Sequence, residues 1–237
     1  QIEITGAEFY SQGHQIRAEH FVLRSNWNKA DITGSTFYVG SFTVEPKGTG
    51  SILNMANTHI FFRHGFSSGN NNGHSFWHLE KVTPGSGGSV YLGGNNCQFL
   101  KIFGKIDFSA GSEIDTLIIE KNSTVNFGII GSLVVKSQFI ANGDCNNWIH
   151  LYSDYGNQSF TVGSGAQVVM NYCMVNRVEI IGVSAYQTNS ICLFDCNGNY
   201  SPPAGRTLYW VGGKGNWSDL SRWSYSSGGA AGISCLP

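Results

Sequence analysis

The chain has 237 residues, of which 41% are hydrophobic and only 12% are charged, and its net charge is −1. The hydrophobic share is too high for a disordered chain, and the near-neutral charge, without a basic run, argues against a nucleic-acid or anionic-membrane surface. No apolar stretch approaches the ~18 residues of a membrane-spanning helix. The length suits one large β domain or two small ones, and the 31 glycines are typical of an extracellular β-protein with many turns.

The first fifty residues alternate between apolar and polar side chains, as strands with one buried face do. The clearest segments are residues 2–4, 21–24 and 37–44. We predict that these strands form the first coils of a β domain.

Short apolar clusters, separated by Gly, Asn, Ser and Asp, continue through the middle of the chain. They stand at residues 60–62, 76–79, 90–92, 99–103, 117–119, 133–135, 148–151, 168–170 and 178–181. No helical period is sustained across them. Because the clusters lack strict polar alternation and hairpin dipeptides are rare between them, we predict an all-β fold, a right-handed parallel β-helix or solenoid. An antiparallel β-sandwich is the alternative.

The composition changes near residue 200 and suggests a domain boundary. We assign residues 1–200 to a solenoid module and residues 201–207 to a Pro-rich linker, in which Pro202 and Pro203 hold the chain extended. Residues 208–237 form an aromatic and Gly-rich junction, which we interpret as the start of the next repeat module. We therefore expect the chain to be a segment of a longer, repetitive protein.

Six cysteines stand at positions 97, 145, 173, 192, 196 and 235, without a Cys-x-x-Cys pair. Cys192 and Cys196 are close enough in sequence to bridge a tight loop. We expect at least one disulfide among Cys145, Cys173, Cys192 and Cys196, because an exported chain meets an oxidising environment. Cys235 is expected to find a partner outside the segment. The alternative is that the cysteines are buried free thiols.

Catalysis on a parallel β-helix would require carboxylates clustered on adjacent coils, as in glycoside hydrolysis. The 15 acidic residues are scattered in the sequence, and Glu113 and Asp115 are expected to flank a turn. His74 and His78 are four residues apart, but on a strand this spacing does not converge on a metal as it would on a helix. His59 and His64 lie nearby in sequence, and we expect these histidines to be solvated or to lie at the edge of the core. We therefore predict no catalytic residue, no metal and no cofactor. A β-helical domain that binds or degrades polysaccharides, as a glycosidase or lyase, is the alternative.

Two motifs resemble a known group of proteins. One is YWVGGKGNWSDLSRWSYSSGGAAGISCLP, residues 209–237, and the other is CNNWIHLYS, residues 145–153. The first is similar to the module junction of very large secreted surface proteins of Bacteroidota, including gliding-motility adhesins, and the second to a C-x-x-W-I-x-L-x-S segment of the same modules. Together they cover about a sixth of the chain.

The resemblance implies export by type IX secretion, an extracellular location at the cell surface and a structural or adhesive role in surface adhesion or gliding. The expected partners are neighbouring modules of the same chain and, beyond them, surface glycans or the export machinery. The family carries no catalytic residues to transfer. We assign structural roles to the four cysteines named above and to Trp148, Trp210, Trp217 and Trp223. We expect Trp217 and Trp223 to clamp the junction, with a carbohydrate platform as the alternative.

Overall fold

The computed structural model describes residues 1–5, 8–24, 29–45, 52–69, 75–84, 87–109, 111–128, 133–182, 187–196 and 200–235. These residues form a parallel β-solenoid of about eight turns. The predicted solenoid is confirmed, and the antiparallel sandwich is wrong. The described ranges contain no α-helix, and their one helical element is a 3-10 turn at Leu220–Arg222.

The described strands coincide with the apolar segments of the sequence. In chain order they are β1 (Ile2–Ile4), β2 (Glu8–Tyr10), β3 (Gln15–Leu23), β4 (Lys29–Asp31), β5 (Thr36–Val44), β6 (Ile52–Asn54), β7 (His59–Ser68), β8 (Ser75–Lys81), β9 (Ser89–Tyr91), β10 (Asn96–Ile102), β11 (Lys105–Ser109), β12 (Glu113–Ile119), β13 (Thr124–Phe127), β14 (Val134–Asn142), β15 (Ile149–Tyr152), β16 (Gln158–Val162), β17 (Gln167–Asn171), β18 (Cys173–Asn176), β19 (Val178–Ile181), β20 (Gln187–Thr188), β21 (Ile191–Phe194), β22 (Tyr200–Ser201), β23 (Tyr209–Trp210) and β24 (Trp223–Ser224). All nine apolar clusters of the middle region overlap a strand.

Each coil consists of short strands separated by corners. Each strand pairs in parallel with the matching strands of the coil before and the coil after. The long strands β3, β5 and β7 run around one corner, because the first half of β7 pairs with β8 and its second half pairs with β9. Face A is the sheet that contains the first halves of these three strands together with β8, β10, β12, the second half of β14 and β17. The sheet that contains their second halves, β9, β11, β13, β15, β18 and β21 is face B. The short strands β2, β4 and β6 form a third sheet.

The core is a continuous column of inward-facing apolar side chains. Phe21, Phe42 and Phe66 occupy matching positions on successive coils, with ring centroids 4.9 and 5.8 Å apart and nearly parallel planes. All three are fully buried, and burying one such ring stabilises the fold by ~1.5–3 kcal/mol. Each coil therefore stabilises its neighbours through like residues in register.

Several corners share a left-handed residue followed by a small, buried polar residue. The pairs are Gly34-Ser35, Asn57-Thr58, Gly94-Asn95, Asn122-Ser123 and Asn189-Ser190. Thr58 Oγ1 donates to the Ile32 carbonyl at 2.7 Å, and Ser123 Oγ accepts from the Gly104 amide at 3.1 Å. These side chains satisfy backbone groups that the turns leave unpaired, and so connect adjacent coils.

Candidate functional site

The junction segment folds into a small antiparallel hairpin. Strands β23 and β24 pair with Trp210 opposite Trp223, and the 3-10 turn lies between them. Asp219 caps this turn by accepting from the Ser221 amide at 3.1 Å and the Ser221 hydroxyl at 2.6 Å. These hydrogen bonds lower the pKa of the Asp219 carboxyl. The motif residues Asp219 and Ser221 thus form the turn that brings the two aromatic strands together.

The tryptophans of the hairpin pack around Trp223. Its ring is 4% exposed and meets Trp210 and Trp217 edge to face, at 5.2 and 4.4 Å between ring centroids. Trp223 Nε1 donates to the Trp217 carbonyl at 2.9 Å. Trp217 itself is 71% exposed, so Trp223 is the packed ring of the pair and Trp217 is its outer cover. The structural role of both rings stays a prediction.

Two disulfides are present, Cys145–Cys235 and Cys192–Cys196, with Cα atoms 5.6 and 6.0 Å apart. The Cys192–Cys196 bond confirms the expectation of at least one disulfide among Cys145, Cys173, Cys192 and Cys196. The expectation that Cys235 pairs outside the segment is wrong, because the hairpin folds back onto the solenoid and brings Cys235 to the corner loop of Cys145. Asn146 Nδ2 reinforces this closure by donating to the Ser234 carbonyl at 2.7 Å.

Cys173, although assigned to the structural cysteines, stays unpaired and buried, as does Cys97. The Cys173 thiol donates to the Ala141 carbonyl at 3.2 Å, and burial raises its pKa to about 12. Burial also raises the pKa of Cys97 far above its ordinary range. Both behave as small core residues, which is the alternative that the sequence left open.

The corner loop that carries Cys145 is shaped by Asp144. Asp144 Oδ1 accepts from the Asn146 amide at 3.0 Å and from Asn147 Nδ2 at 2.8 Å, while Lys121 Nζ contacts Oδ2 at 3.0 Å. The hydrogen bond from Lys121 is the main reason why the pKa of Asp144 is lowered. Trp148 follows directly on this loop, so the hydrogen bonds of Asp144 fix the backbone that leads into it.

A cleft of about 650 Å³ lies between this corner loop and the junction segment. It is lined by Cys145, Asn146, Trp148, Tyr172, Asn189, Pro203, Ala204, Gly205, Arg206, Ser218, Leu220 and Cys235. The Trp148 and Tyr172 rings stand nearly perpendicular, 86° between planes and 5.5 Å between centroids. Of the described residues that line the cleft, Arg206 alone is charged. Trp148 was named from the sequence, but Tyr172 and Arg206 were not, because no local pattern reveals that the chain folds back over them.

Aromatic side chains also line the outside of face A. Tyr38 stacks on Phe61 with centroids 5.1 Å apart, and His78 stacks on Phe99 at 4.4 Å. The His59 and His78 rings are 4.8 Å apart but tilted by 36°. These rings lie in register on successive coils, and the stacked pairs cover one another's flat sides. The ladder therefore presents mainly ring edges outward, which suits stability better than the stacking of a sugar.

The structure brings together two carboxylates that lie far apart in sequence. Asn126 Nδ2, on face B, donates to Asp107 Oδ1 at 3.1 Å and to Asp154 Oδ2 at 3.3 Å. One amide group thus connects the side chains of Asp107 and Asp154 across successive coils of face B. Glu113 and Asp115 do not flank a turn, since both lie on β12. Within the described ranges, no group of three or more His, Cys, Asp or Glu residues could hold a metal.

Comparison with family models, curated proteins and solved structures gives no match for this chain. Among the described residues, no helix is long and apolar enough to cross a membrane. The function must therefore be argued from the fold, the two disulfides and the cleft.

Proposed function

We propose that this chain is a structural and adhesive module of a large exported cell-surface repeat protein, of the kind that its junction resembles in Bacteroidota. The observation that carries the proposal is the disulfide between Cys145 and Cys235. Each cysteine belongs to one of the two motifs that resemble these proteins, so the bond joins the motifs in space. Motifs that form one contact are expected to be retained as a unit, which supports the resemblance.

The fold suits a role in which length matters. Each coil of a parallel solenoid adds one strand spacing, ~4.8 Å, so about eight turns extend roughly 40 Å along the axis. Each coil contacts chiefly its neighbours, so modules of this type can be joined in series without a shared core. Weak contacts repeated along such an array increase avidity by ~10²–10⁴ over one site.

The disulfides support an extracellular location. Stable disulfides form in exported proteins and are rare where cellular thiols are kept reduced. The bond between Cys145 and Cys235 closes a loop with a sequence separation of 90 residues, so oxidation fastens the junction to the solenoid. Outside the cell, the disulfide can hold the junction against the solenoid without a second hydrophobic core between them.

Tandem copies of the chain test the adhesive role. Beads carrying one, two or four copies of the chain, at equal total module density, are sheared from polysaccharide-coated glass in a flow chamber. We expect the force for half-detachment to rise steeply with copy number. Detachment independent of copy number would contradict a multivalent adhesive. Release of reducing sugar ends from the coated polysaccharide, lost in Asp107→Asn, would instead favour the degrading enzyme.

A further inference from the structure

We propose that the cleft between Trp148, Tyr172 and Arg206 binds a short acidic oligosaccharide, with a sugar carboxylate against Arg206. This inference rests on the proposed function and deepens it, because it names the ligand class and the site. The cleft volume of about 650 Å³ falls within the ~300–1,000 Å³ that is usual for small-molecule sites.

The two rings give the cleft apolar surfaces at right angles. Trp148 and Tyr172 meet edge to face, and among the described residues neither ring stacks on another aromatic ring. This differs from the face A ladder, where the flat sides cover one another. In the described part of the chain, the flat sides of these two rings are not covered by a neighbouring aromatic ring. The apolar face of a sugar can therefore pack against them.

The polar groups of the cleft are suited to hydroxyls and a carboxylate. Within the described part of the chain, neither the indole N–H of Trp148 nor the hydroxyl of Tyr172 has a hydrogen-bond partner. Neither is among the buried polar atoms that lack a partner, so both remain accessible to a ligand. Arg206 is exposed; its guanidinium lies over the Tyr225 ring, 5.6 Å from the centroid, and donates to the Tyr225 hydroxyl at 3.5 Å. A guanidinium has five N–H donors, so one contact of this kind leaves others for a ligand. With no acidic residue among those lining the cleft, charge complementarity favours an anionic sugar.

The cleft is held in shape before any ligand arrives. The disulfide of Cys145 and the hydrogen bond from Asn146 to Ser234 fasten its two sides together. A Cβ on Gly143 would lie 2.9 Å from the Tyr172 carbonyl oxygen, so the corner loop packs directly on the backbone of Tyr172. Tyr172 itself has a φ of 50°, an uncommon conformation for a residue with a side chain. A preformed site reduces the entropy lost on binding.

Calorimetric titration of the oxidised chain tests the inference. The probes are trisaccharides of galacturonic, glucuronic and mannuronic acid, each compared with its neutral hexose counterpart. We expect at least one acidic trisaccharide to bind saturably, and more tightly than its neutral counterpart. Arg206→Ala should abolish this preference, and Trp148→Ala should weaken binding at least tenfold. Trp77→Ala, which removes an exposed ring outside the cleft, should leave binding unchanged.

The affinity after reduction of the disulfides provides a second measurement. Nonspecific binding to the protein surface would not depend on reduction. Dithiothreitol should lower the affinity, because it opens the bond between Cys145 and Cys235. The variant Cys192→Ser/Cys196→Ser should bind like the wild type and keep this sensitivity to reduction. Melting curves of every variant show whether a loss of binding reflects unfolding, and Trp148→Phe, which keeps a ring but removes the N–H, should bind more tightly than Trp148→Ala if the fold is intact.

Absence of saturable binding to all three acidic trisaccharides overturns the inference. So does unchanged affinity in folded Trp148→Ala and Arg206→Ala. If arrays of the Arg206→Ala variant still resist shear in proportion to copy number, the adhesive function stands and the cleft is not its site. If single chains bind the acidic sugar while arrays show no dependence on copy number, the cleft stands and the adhesive function fails.

Discussion

Cys145 and Cys235 are 90 residues apart in sequence, yet they are joined by a disulfide with a Cα–Cα distance of 5.6 Å. Closing so long a loop in the unfolded chain corresponds to roughly 4–5 kcal/mol, compared with ~2 kcal/mol for a loop as short as that between Cys192 and Cys196. The long-range bond is therefore the stronger constraint on the unfolded state.

We expect Cys145→Ser/Cys235→Ser to lower the free energy of unfolding by ~2–5 kcal/mol. The matched control is Cys192→Ser/Cys196→Ser, which removes the short loop and should cost less. Urea denaturation of both double variants, followed by circular dichroism, measures the difference. An equal or larger loss in the control would mean that the entropy of the long loop does not govern stability here.

The two remaining cysteines should be unreactive in the native protein. Cys97 and Cys173 are buried, and burial raises the pKa of Cys173 to about 12, so almost no thiolate forms near neutral pH. Iodoacetamide should label neither residue at pH 8 in buffer, and both in denaturant without reductant, as read by mass spectrometry. Labelling of four further cysteines under the second condition would contradict the two disulfides.

Stability should fall as the solution is acidified from pH 7 to pH 5, in part because of His78. Burial lowers the pKa of His78 below its ordinary value of 6.5, despite the opposing contact with Glu80, and the neighbouring His59 and Lys101 add to the lowering. The folded state thus favours the neutral ring. Its contribution to stability is complete above pH 6.5 and is lost as the pH falls from there toward the folded pKa.

The variant His78→Phe isolates this effect, because Phe can continue the stack between His59 and Phe99 without taking up a proton. Melting temperatures at pH 7 and pH 5 should differ less in the variant than in the wild type. An identical pH dependence in both proteins would show that His78 does not contribute to it.

The strands could be predicted from the sequence because most inward positions are apolar. The regular alternation was hidden on face A, where Tyr38, Phe61 and Phe99 stand at outward positions and stack between coils. The same apolar outward residues made the clusters resemble fully buried strands. The fold class was therefore predicted correctly, although aromatic residues of the clusters, such as Tyr38 and Phe61, face outward and stack between coils instead of lying in the core.

The cleft could not be predicted, because it depends on how the junction folds back. Trp148 and Cys145 were named from their motif, but nothing near Tyr172 or Arg206 in sequence marks them as its neighbours. The contact between Asp107, Asn126 and Asp154 was missed for a related reason. The register of coils decides which distant residues meet, and coils here differ in length, so sequence spacing alone does not give the register.

Lys81 is a charged residue in the core, and its removal should be costly. Its side chain is fully buried, and Nζ donates to the carbonyl oxygens of Thr83 and Phe103. Lys81→Met would leave two carbonyls without this donor, for which we expect a loss of ~1–3 kcal/mol in urea denaturation. Lys101→Met is the control, since Lys101 points outward from the next coil toward Glu80 and Glu120 and such surface pairs contribute ~0–1 kcal/mol. Equal losses in both variants would contradict the proposed role of the buried donor.

Trp223 and Trp217 should differ sharply in their effect on the junction hairpin. Trp223 is 4% exposed and packs between two rings, whereas Trp217 is 71% exposed and makes one edge-to-face contact. Trp223→Ala removes a packed ring, at a cost of ~3–5 kcal/mol, while Trp217→Ala loses an aromatic pair of ~0.5–1.5 kcal/mol. Limited proteolysis should therefore cleave residues 209–224 rapidly in Trp223→Ala and slowly in Trp217→Ala. If Trp217→Ala is cleaved as fast as Trp223→Ala, its exposed ring holds the hairpin together, and the packing of Trp223 is not what stabilises this segment.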